Sequence, residues 1–273
     1  MSASAPDDTA EVEAWREERY ARLRNPTGWL TLAGLGWLKP GVNRIGSAAD
    51  ADVVLPSGPE VAGTVTVAEG RPVTAEGAFL HGGKPALDLE LTSDADGEPT
   101  LLELGPLRLC LIDRGGRLAI RTWDTTAAAR AEFEGIEHWP VDPAWRLTAR
   151  LEPTPGRTVD VPDVFGEIEP ETSPGDLAFE VEGRTHRLQA VPGDDAGELW
   201  LIFGDATNGR ETYGGGRYLY TDAPDADGSV IVDFNRAYNP PCVFTPYATC
   251  PLPWPANRLP IRIEAGERLF QEN

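Results

Sequence analysis

Apolar residues recur along this chain with two different periods. Val12, Trp15, Tyr20 and Leu23 fall at roughly helical spacing, with Glu13, Arg16, Glu17, Glu18, Arg19 and Arg22 on the other faces. That stripe predicts a helix over residues 9–24 whose apolar side clamps onto the main body. Asp8-x-x-Glu11 has the spacing of a capping pair, and Asn25-Pro26 ends the helix because the residue before proline disfavours α geometry. Beyond residue 40 the texture changes to short runs of Val, Ile, Leu and Phe, broken by Gly, Pro and Asp about every ten residues, which is an all-β pattern.

The clearest strands are Ala51–Leu55, Val61–Val67, Ala86–Leu91, Leu107–Ile112, Leu118–Arg121, Trp145–Leu151 and Leu199–Phe203. Arg114-Gly115-Gly116-Arg117 supplies a hairpin turn, and Thr125–Phe133, with its run of three Ala, a brief helical turn. Leu177, Phe179 and Val181 alternate towards Glu182-Gly183, with Leu188 and Ala190 on the return strand, so a second hairpin is expected there. His186 shares the parity of Leu188 and reads as a hydrogen-bonded core residue. Pro153-Thr154-Pro155-Gly156 marks a soft boundary. The expected organisation is an N-terminal helix and apolar clamp over 1–40, a β-sandwich-like module over 41–152 and a β module over 153–273, the last two permissibly one continuous domain. No fixed-period repeat appears, so a solenoid or propeller is not expected.

Composition narrows the function classes. Lys and Arg number 24 against 44 Asp and Glu, a net charge of −20, and no basic cluster interrupts the acidic excess, so nucleic acid is not an expected partner. No run approaches the length of a membrane span, and Met1–Glu11 lacks a basic region followed by an apolar run. Three Cys cannot all pair within one chain, which suits a reducing compartment; the cytoplasm is the expected location. In so acidic a chain, arginines in unusual settings are the informative cations.

The densest chemistry lies between residues 203 and 259. Leu199–Phe203 runs into Gly204-Asp205-Ala206-Thr207-Asn208-Gly209-Arg210-Glu211-Thr212-Tyr213, then Gly214-Gly215-Gly216-Arg217-Tyr218-Leu219. Three consecutive glycines permit positive φ or close backbone approach. The plain account is a polar hairpin turning at Asn208-Gly209. The sharper one makes Asp205, Thr207, Glu211, Tyr213 and Arg217 a pocket wall, with the Arg217 guanidinium directed at an enclosed carboxylate or an anionic ligand. Ile231–Cys242 starts as a buried strand, and Asp233 and Asn235, of one parity, face either a cavity or a rigid polar network. Val243–Asn257, with prolines at 246, 251, 253 and 255, reads as a long stiff apolar loop over a core, and such loops are often functional.

Cys242 and Cys250 fit neither the zinc knuckle nor the thioredoxin spacing, and the three His are scattered, so no metal site is expected. A free Cys is usually a small buried hydrophobe, which weighs against a nucleophilic role for either. No Gly-x-Ser-x-Gly elbow, Walker loop, His-Glu-x-x-His or Rossmann fingerprint occurs, so no cofactor is identified. Asp94-Ala95-Asp96-Gly97 and Asp225-Ala226-Asp227-Gly228 lack the Glu that closes a calcium loop and read as acidic turns.

Together, several segments resemble a bacterial and archaeal family known only as domain of unknown function number 1684. They are Gly28-Trp29-Leu30-Thr31-Leu32, Gly34-Leu35, Trp37-Leu38, Ile45-Gly46-Ser47, the Phe203–Tyr213 run and Gly216-Arg217-Tyr218-Leu219. The most specific is Asp233-Phe234-Asn235-x-Ala237-Tyr238-Asn239-Pro240-Pro241-Cys242, continuing to Thr249-Cys250-Pro251-Leu252-Pro253 and Asn257-Arg258-Leu259. The resemblance implies a mainly β protein and carries no reaction with it. A looser likeness, in Gly41-x-x-Arg44-x-Gly46-Ser47 and Asp52-Val53-Val54-Leu55, is to forkhead-associated phosphopeptide-binding sandwiches. Their Ser-x-x-His element is represented by Ser57-Gly58-Pro59-Glu60, whose carboxylate repels phosphate.

Two functions fit these residues. One is a small-molecule site, open to catalysis, where segments 203–217 and 231–239 meet. In it Asp205 or Glu211 acts as acid or base if burial raises its pKa, and Tyr213 or Tyr238 donates a hydrogen bond. Arg217 or Arg236 holds an anion, while Thr207, Asn208, Asp233, Asn235 and Asn239 complete the lining. The alternative is a non-catalytic protein-interaction module built on the forkhead-associated-like sandwich or the apolar loop.

Overall fold

The computed structural model describes residues 6–69 and 73–270, with side chains from Thr9 onward, so the Asp8 half of the expected capping pair lies outside the described residues. Among the described residues the chain is all-β apart from α1 (Pro6–Leu23), a short α2 (Ala128–Glu132) and single 3-10 turns. It divides into two compact units: one of residues 21–133 with 245–248, the other of 1–20, 134–244 and 249–273. Among the described residues no helix is long and apolar enough to cross a membrane.

The unit of residues 21–133 holds β1 (Leu32–Trp37), β2 (Gly41–Gly46), β3 (Val53–Val54), β4 (Gly63–Val67), β5 (Val73–Gly77), β6 (Leu80–His81), β7 (Lys84–Pro85), β8 (Leu89–Glu90), β9 (Leu102–Leu104), β10 (Leu107–Arg114) and β11 (Arg117–Asp124). They form a six-stranded sheet ordered β1-β11-β10-β9-β6-β7 and a five-stranded sheet ordered β3-β2-β4-β5-β8. Alternate residues of both face one core that includes Ile45, Val65, Phe79, Leu102, Leu109 and Ile120. Gly115 and Gly116 take positive φ at the expected turn, where Arg114 pairs with Arg117.

The other unit is built on one six-stranded sheet, ordered β16-β15-β14-β13-β12-β17, from β12 (Arg146–Pro162), β13 (Ile168–Val181), β14 (Arg184–Pro192), β15 (Leu199–Phe203), β16 (Arg217–Thr221) and β17 (Ser229–Asp233). The hairpin between β13 and β14 has the expected register, Leu177 opposite Leu188 and Phe179 opposite His186, with Glu182 and Gly183 both at positive φ. Pro153–Gly156 does not separate elements. It lies inside β12 as an irregularity where the pairing with β13 shifts between Pro153 and Arg157, because proline cannot donate to a ladder and glycine relieves the bend.

Leu177, Phe179, Leu188, Leu201, Phe203, Leu219, Val232 and Phe234 fill one side of this sheet. At about 1.5–3 kcal/mol per buried large apolar side chain, that face drives the curl of the sheet. Its two edge strands are drawn together just past β17, where Tyr238 and Tyr218 exchange two backbone hydrogen bonds of 2.9 Å. The result is barrel-like. On the other face, Val159, Val161, Val191, Ile202 and Tyr218 pack with Trp254 from the proline-rich segment 243–257, which contains no strand.

Candidate functional site

Arg217 shares the inward parity of Leu219 on β16 and sits directly across from Phe203. Its side chain and that of Asp205 are both 0% exposed. The guanidinium donates to Asp205 Oδ2 at 2.5 Å, to the Ile263 carbonyl at 2.9 Å and to the Ala265 carbonyl. Its Cζ lies 5.4 Å from the Phe203 ring centroid and 5.6 Å from that of Trp139. Of the two partners expected for Arg217, the enclosed carboxylate is the one it has. Burial lowers its pKa against the opposing pull of Asp205.

The loop before it is organised by the same carboxylate. Asp205 Oδ1 accepts from the Thr207 amide at 2.6 Å, and Asn208 Oδ1 from the Asp205 amide at 2.6 Å. Asn208 Nδ2 donates to Thr212 Oγ1 at 2.8 Å and to the Tyr213 carbonyl at 3.0 Å, while the Thr207 and Thr212 hydroxyls meet at 2.8 Å. Asn208 does not take the positive φ that a type I′ turn requires. The chain turns instead around the Thr207 carbonyl, which accepts from the amides of Arg210, Glu211 and Thr212. Glu211 points away from this network to Arg262, 2.8 Å distant. Hydrogen bonding to that guanidinium lowers its pKa, so the raised value that acid–base use required is absent there.

Asp233 ends β17 and caps the 3-10 turn Phe234–Arg236, its Oδ1 accepting from the Asn235 amide at 3.1 Å. Asn235 is therefore off the strand, and the parity expected to align it with Asp233 is broken by the turn. Asn235 exchanges two hydrogen bonds of 2.9 Å with the Asp142 backbone, and Asp233 Oδ2 takes Arg146 at 3.1 Å and Arg236 at 3.8 Å. Of the two expected readings this is the rigid polar network. Arg236 also reaches Glu11 at 3.4 Å. Asn239 belongs to a further buried cluster: its amide donates to Glu267 Oε2 at 2.7 Å, and its carbonyl accepts from Arg19 at 2.9 Å. Arg19 also pairs with Glu267, which is 0% exposed. No motif or periodicity singles out Arg19 or Glu267, which are 248 positions apart.

Segments 203–217 and 231–239 approach through the inward rings of Phe203 and Phe234, centroids 5.4 Å apart; one residue past the first segment Tyr218 bridges Tyr238, and the outward surface beside that bridge is aromatic. Trp200 and Tyr220, on the outward face of β15 and β16, have ring centroids 5.7 Å apart and planes at 10°. Tyr220 and Tyr238 follow at 6.3 Å and 16°. Trp15 of α1 approaches Tyr238 at 6.2 Å, and the Arg19 guanidinium lies 4.4 Å from the Tyr238 centroid. Trp15, Trp200, Tyr220 and Tyr238 are all half-buried. Tyr220 donates to Asp194 at 3.3 Å; burial raises the pKa of both Tyr220 and Tyr238, so both hydroxyls remain protonated donors near neutrality. Only Tyr238 of this ladder was singled out in the sequence. The signal for the rest was the alternation Tyr218-Leu219-Tyr220 opposite Trp200.

The Tyr213 side chain stands apart from both networks. Its ring folds over Gly215, where a Cβ would sit 2.4 Å from Tyr213 Cε1, and burial raises its pKa. Among the described residues no group of three or more His, Cys, Asp or Glu side chains is placed to hold a metal ion. In the unit of residues 21–133, the Arg44 guanidinium is held by the Asp50 side chain at 3.1 Å and the Ser47 hydroxyl donates to the Gly58 carbonyl at 2.9 Å. Arg44 is thus paired with an aspartate at the surface.

No curated protein matches the chain. Among solved structures it is similar to an uncharacterised protein of Haloarcula marismortui, determined by solution NMR, at 30% sequence identity over 51% of this chain and 79% of the other, with a TM-score of 0.43. Residues 131–268, half of the chain, match the family described as "Protein of unknown function (DUF1684)". That match ends just past Glu267 and takes in β12–β17, the Arg217 network and three rungs of the aromatic ladder, so the chain belongs to the DUF1684 family of proteins of unknown function.

Proposed function

We propose that this is a small-molecule-binding protein whose site is the outward aromatic face of β15 and β16 beside the Tyr218–Tyr238 bridge. The observation that carries this reading is the row of half-buried, near-parallel rings Trp200, Tyr220 and Tyr238. Ring faces attract flat or ring-shaped ligands through dispersion and quadrupole terms, and the Tyr220 and Tyr238 hydroxyls and the exposed Asp194 carboxylate supply directional groups at the edge. A heteroaromatic or sugar ring suits this better than a simple anion, because Arg217 is enclosed and Arg236 is divided between Asp233 and Glu11. Asp205, Thr207, Asn208, Asn235 and Asn239 then act as the framework behind the site.

Saturation-transfer NMR on the full chain, with a panel of purine, pyrimidine, nicotinamide and monosaccharide probes, tests this. At least one probe class should receive saturation, and Tyr220→Ala should weaken its binding roughly five- to tenfold, the loss of a ring contact of about 1 kcal/mol. Trp200→Ala should do the same, with far-UV circular dichroism unchanged in both. Absence of transfer to every probe, or binding indifferent to both substitutions, would refute the assignment.

A further inference from the structure

Cys242 and Cys250 are eight positions apart on a segment stiffened by Pro240, Pro241, Pro246, Pro251 and Pro253, and both are free thiols. The fold places them in contact. The Cys242 amide donates to Cys250 Sγ at 3.1 Å. With an N–Cα bond of about 1.46 Å, the Cys250 sulfur lies within about 4.6 Å of the Cys242 Cα, already inside the reach of a disulfide. Cys250 is held from several sides: its carbonyl accepts from the Val164 amide at 3.0 Å, Pro251 bridges Asp163, and the Pro251 carbonyl accepts from Tyr218 Oη at 2.7 Å. Cys242 sits in the 3-10 turn Pro241–Val243.

The two thiols differ in the way a sensor pair requires. Cys242 is half-buried, Cys250 is 2% exposed. We propose that Cys242 and Cys250 form a reversible peroxide-responsive dithiol, Cys242 being the attacking and Cys250 the resolving residue. The Cys242 thiolate attacks one oxygen of a hydroperoxide, the O–O bond breaks, and the departing oxygen leaves as water or alcohol after taking a proton. The resulting sulfenic acid is attacked by the Cys250 sulfur, which loses its proton; the S–O bond breaks and a second water leaves. Two thiols and one hydroperoxide thus give one disulfide, one water and one further water or alcohol, and a dithiol reductant returns both thiols.

The local chemistry supports this division. Hydrogen bonds from Cys250 and Tyr213 lower the Cys242 pKa, favouring the reactive thiolate. Cys110, buried in the other unit, has its pKa pushed up to about 12 by desolvation and is the internal control. The aromatic face plays no part in these steps, so this proposal and the ligand-binding reading stand or fall separately.

The test is intact-mass and peptide-map spectrometry on the full chain exposed to hydrogen peroxide and then alkylated. The wild type should lose about 2 Da, yield a peptide linked through Cys242 and Cys250, and revert with dithiothreitol. In Cys250→Ala, Cys242 should stop at sulfenic acid and take up dimedone, whereas Cys242→Ala should leave Cys250 free. The wild-type map decides the matter even if a variant fails to fold. No linked peptide, or dimedone uptake confined to Cys250 or Cys110, would overturn the proposal.

Discussion

Replacing Arg217 with Met should destabilise the barrel-like unit by about 3–5 kcal/mol, the usual cost of removing one partner of a buried ion pair. The substitution strips three hydrogen bonds from a site that is 0% exposed and leaves Asp205 Oδ2 and the Ile263 and Ala265 carbonyls without their donor. Each stranded neutral acceptor costs about 1–3 kcal/mol, so the carbonyls alone approach that range and the unpaired carboxylate carries it further. The double variant Arg217→Met with Asp205→Asn should be more stable than Arg217→Met by at least about 1 kcal/mol, because it removes the stranded charge and keeps an oxygen to accept from the Thr207 amide. Burial already opposes the charge on Arg217 more strongly than Asp205 supports it, which is why the pair is costly to halve and cheaper to neutralise whole. Urea unfolding read by hydrogen exchange over Leu199–Phe203 and Arg217–Thr221 confines the measurement to this unit. A loss below about 1 kcal/mol for Arg217→Met, or strict additivity in the double variant, would refute the reasoning; the first result is what an arginine reserved for a ligand would give.

His138 supplies a pH prediction. Desolvation, then the nearby Arg16 charge, pushes its pKa down to about 4 from an ordinary 6.5, so the unfolded chain takes up a proton that the folded one resists. Stability should be full above pH about 6.5, fall by up to about 3 kcal/mol as the pH drops to about 4, and level off below. His138→Gln should flatten that slope, and an NMR titration placing the ring near 6.5 would sink the idea. Gly216→Ala should lower stability by about 2 kcal/mol or more, since φ is +91° and the new Cβ would sit 2.6 Å from the Phe203 carbonyl oxygen and 2.7 Å from Pro253 Cγ. Gly214→Ala, whose Cβ meets nothing nearer than 3.7 Å, should stay within about 1 kcal/mol; equal thermal midpoints for the two variants would contradict this account.

Local signals carried the β architecture well because they act over one strand or one turn. The β13–β14 register followed from the parity of Leu177, Phe179 and Leu188 and a Glu-Gly turn, and the proline-rich segment is strand-free as its missing amides demand. What escaped were features made by tertiary closure. Arg19 meets Glu267, and Cys242 meets Cys250, across separations that no periodicity records. Within the candidate site, residue type was legible but direction was not. Asp233 begins a 3-10 turn, and that single change of period turned Asn235 from a strand neighbour into a clasp on Asp142.

Parity explains why the polar cluster in the C-terminal third suggested a site and the fold made it a frame. On β16, Arg217 alternates with Leu219 and faces inward, while Tyr218 and Tyr220 take the outward face. An inward guanidinium must find a carboxylate and carbonyls, because burying it unpaired is prohibitively costly. Asp205 and the 263–265 backbone meet that need, and each bond they make withdraws a group from any ligand. The outward face bears the opposite constraint: there polar groups keep their water, and half-buried rings leave apolar area uncovered. On a strand whose inward charge is already neutralised, Tyr220 is the half-buried outward ring, whereas Tyr218 is covered by Trp254 and tied to the Pro251 carbonyl, so the proposed ligand face rests on Tyr220 rather than Tyr218.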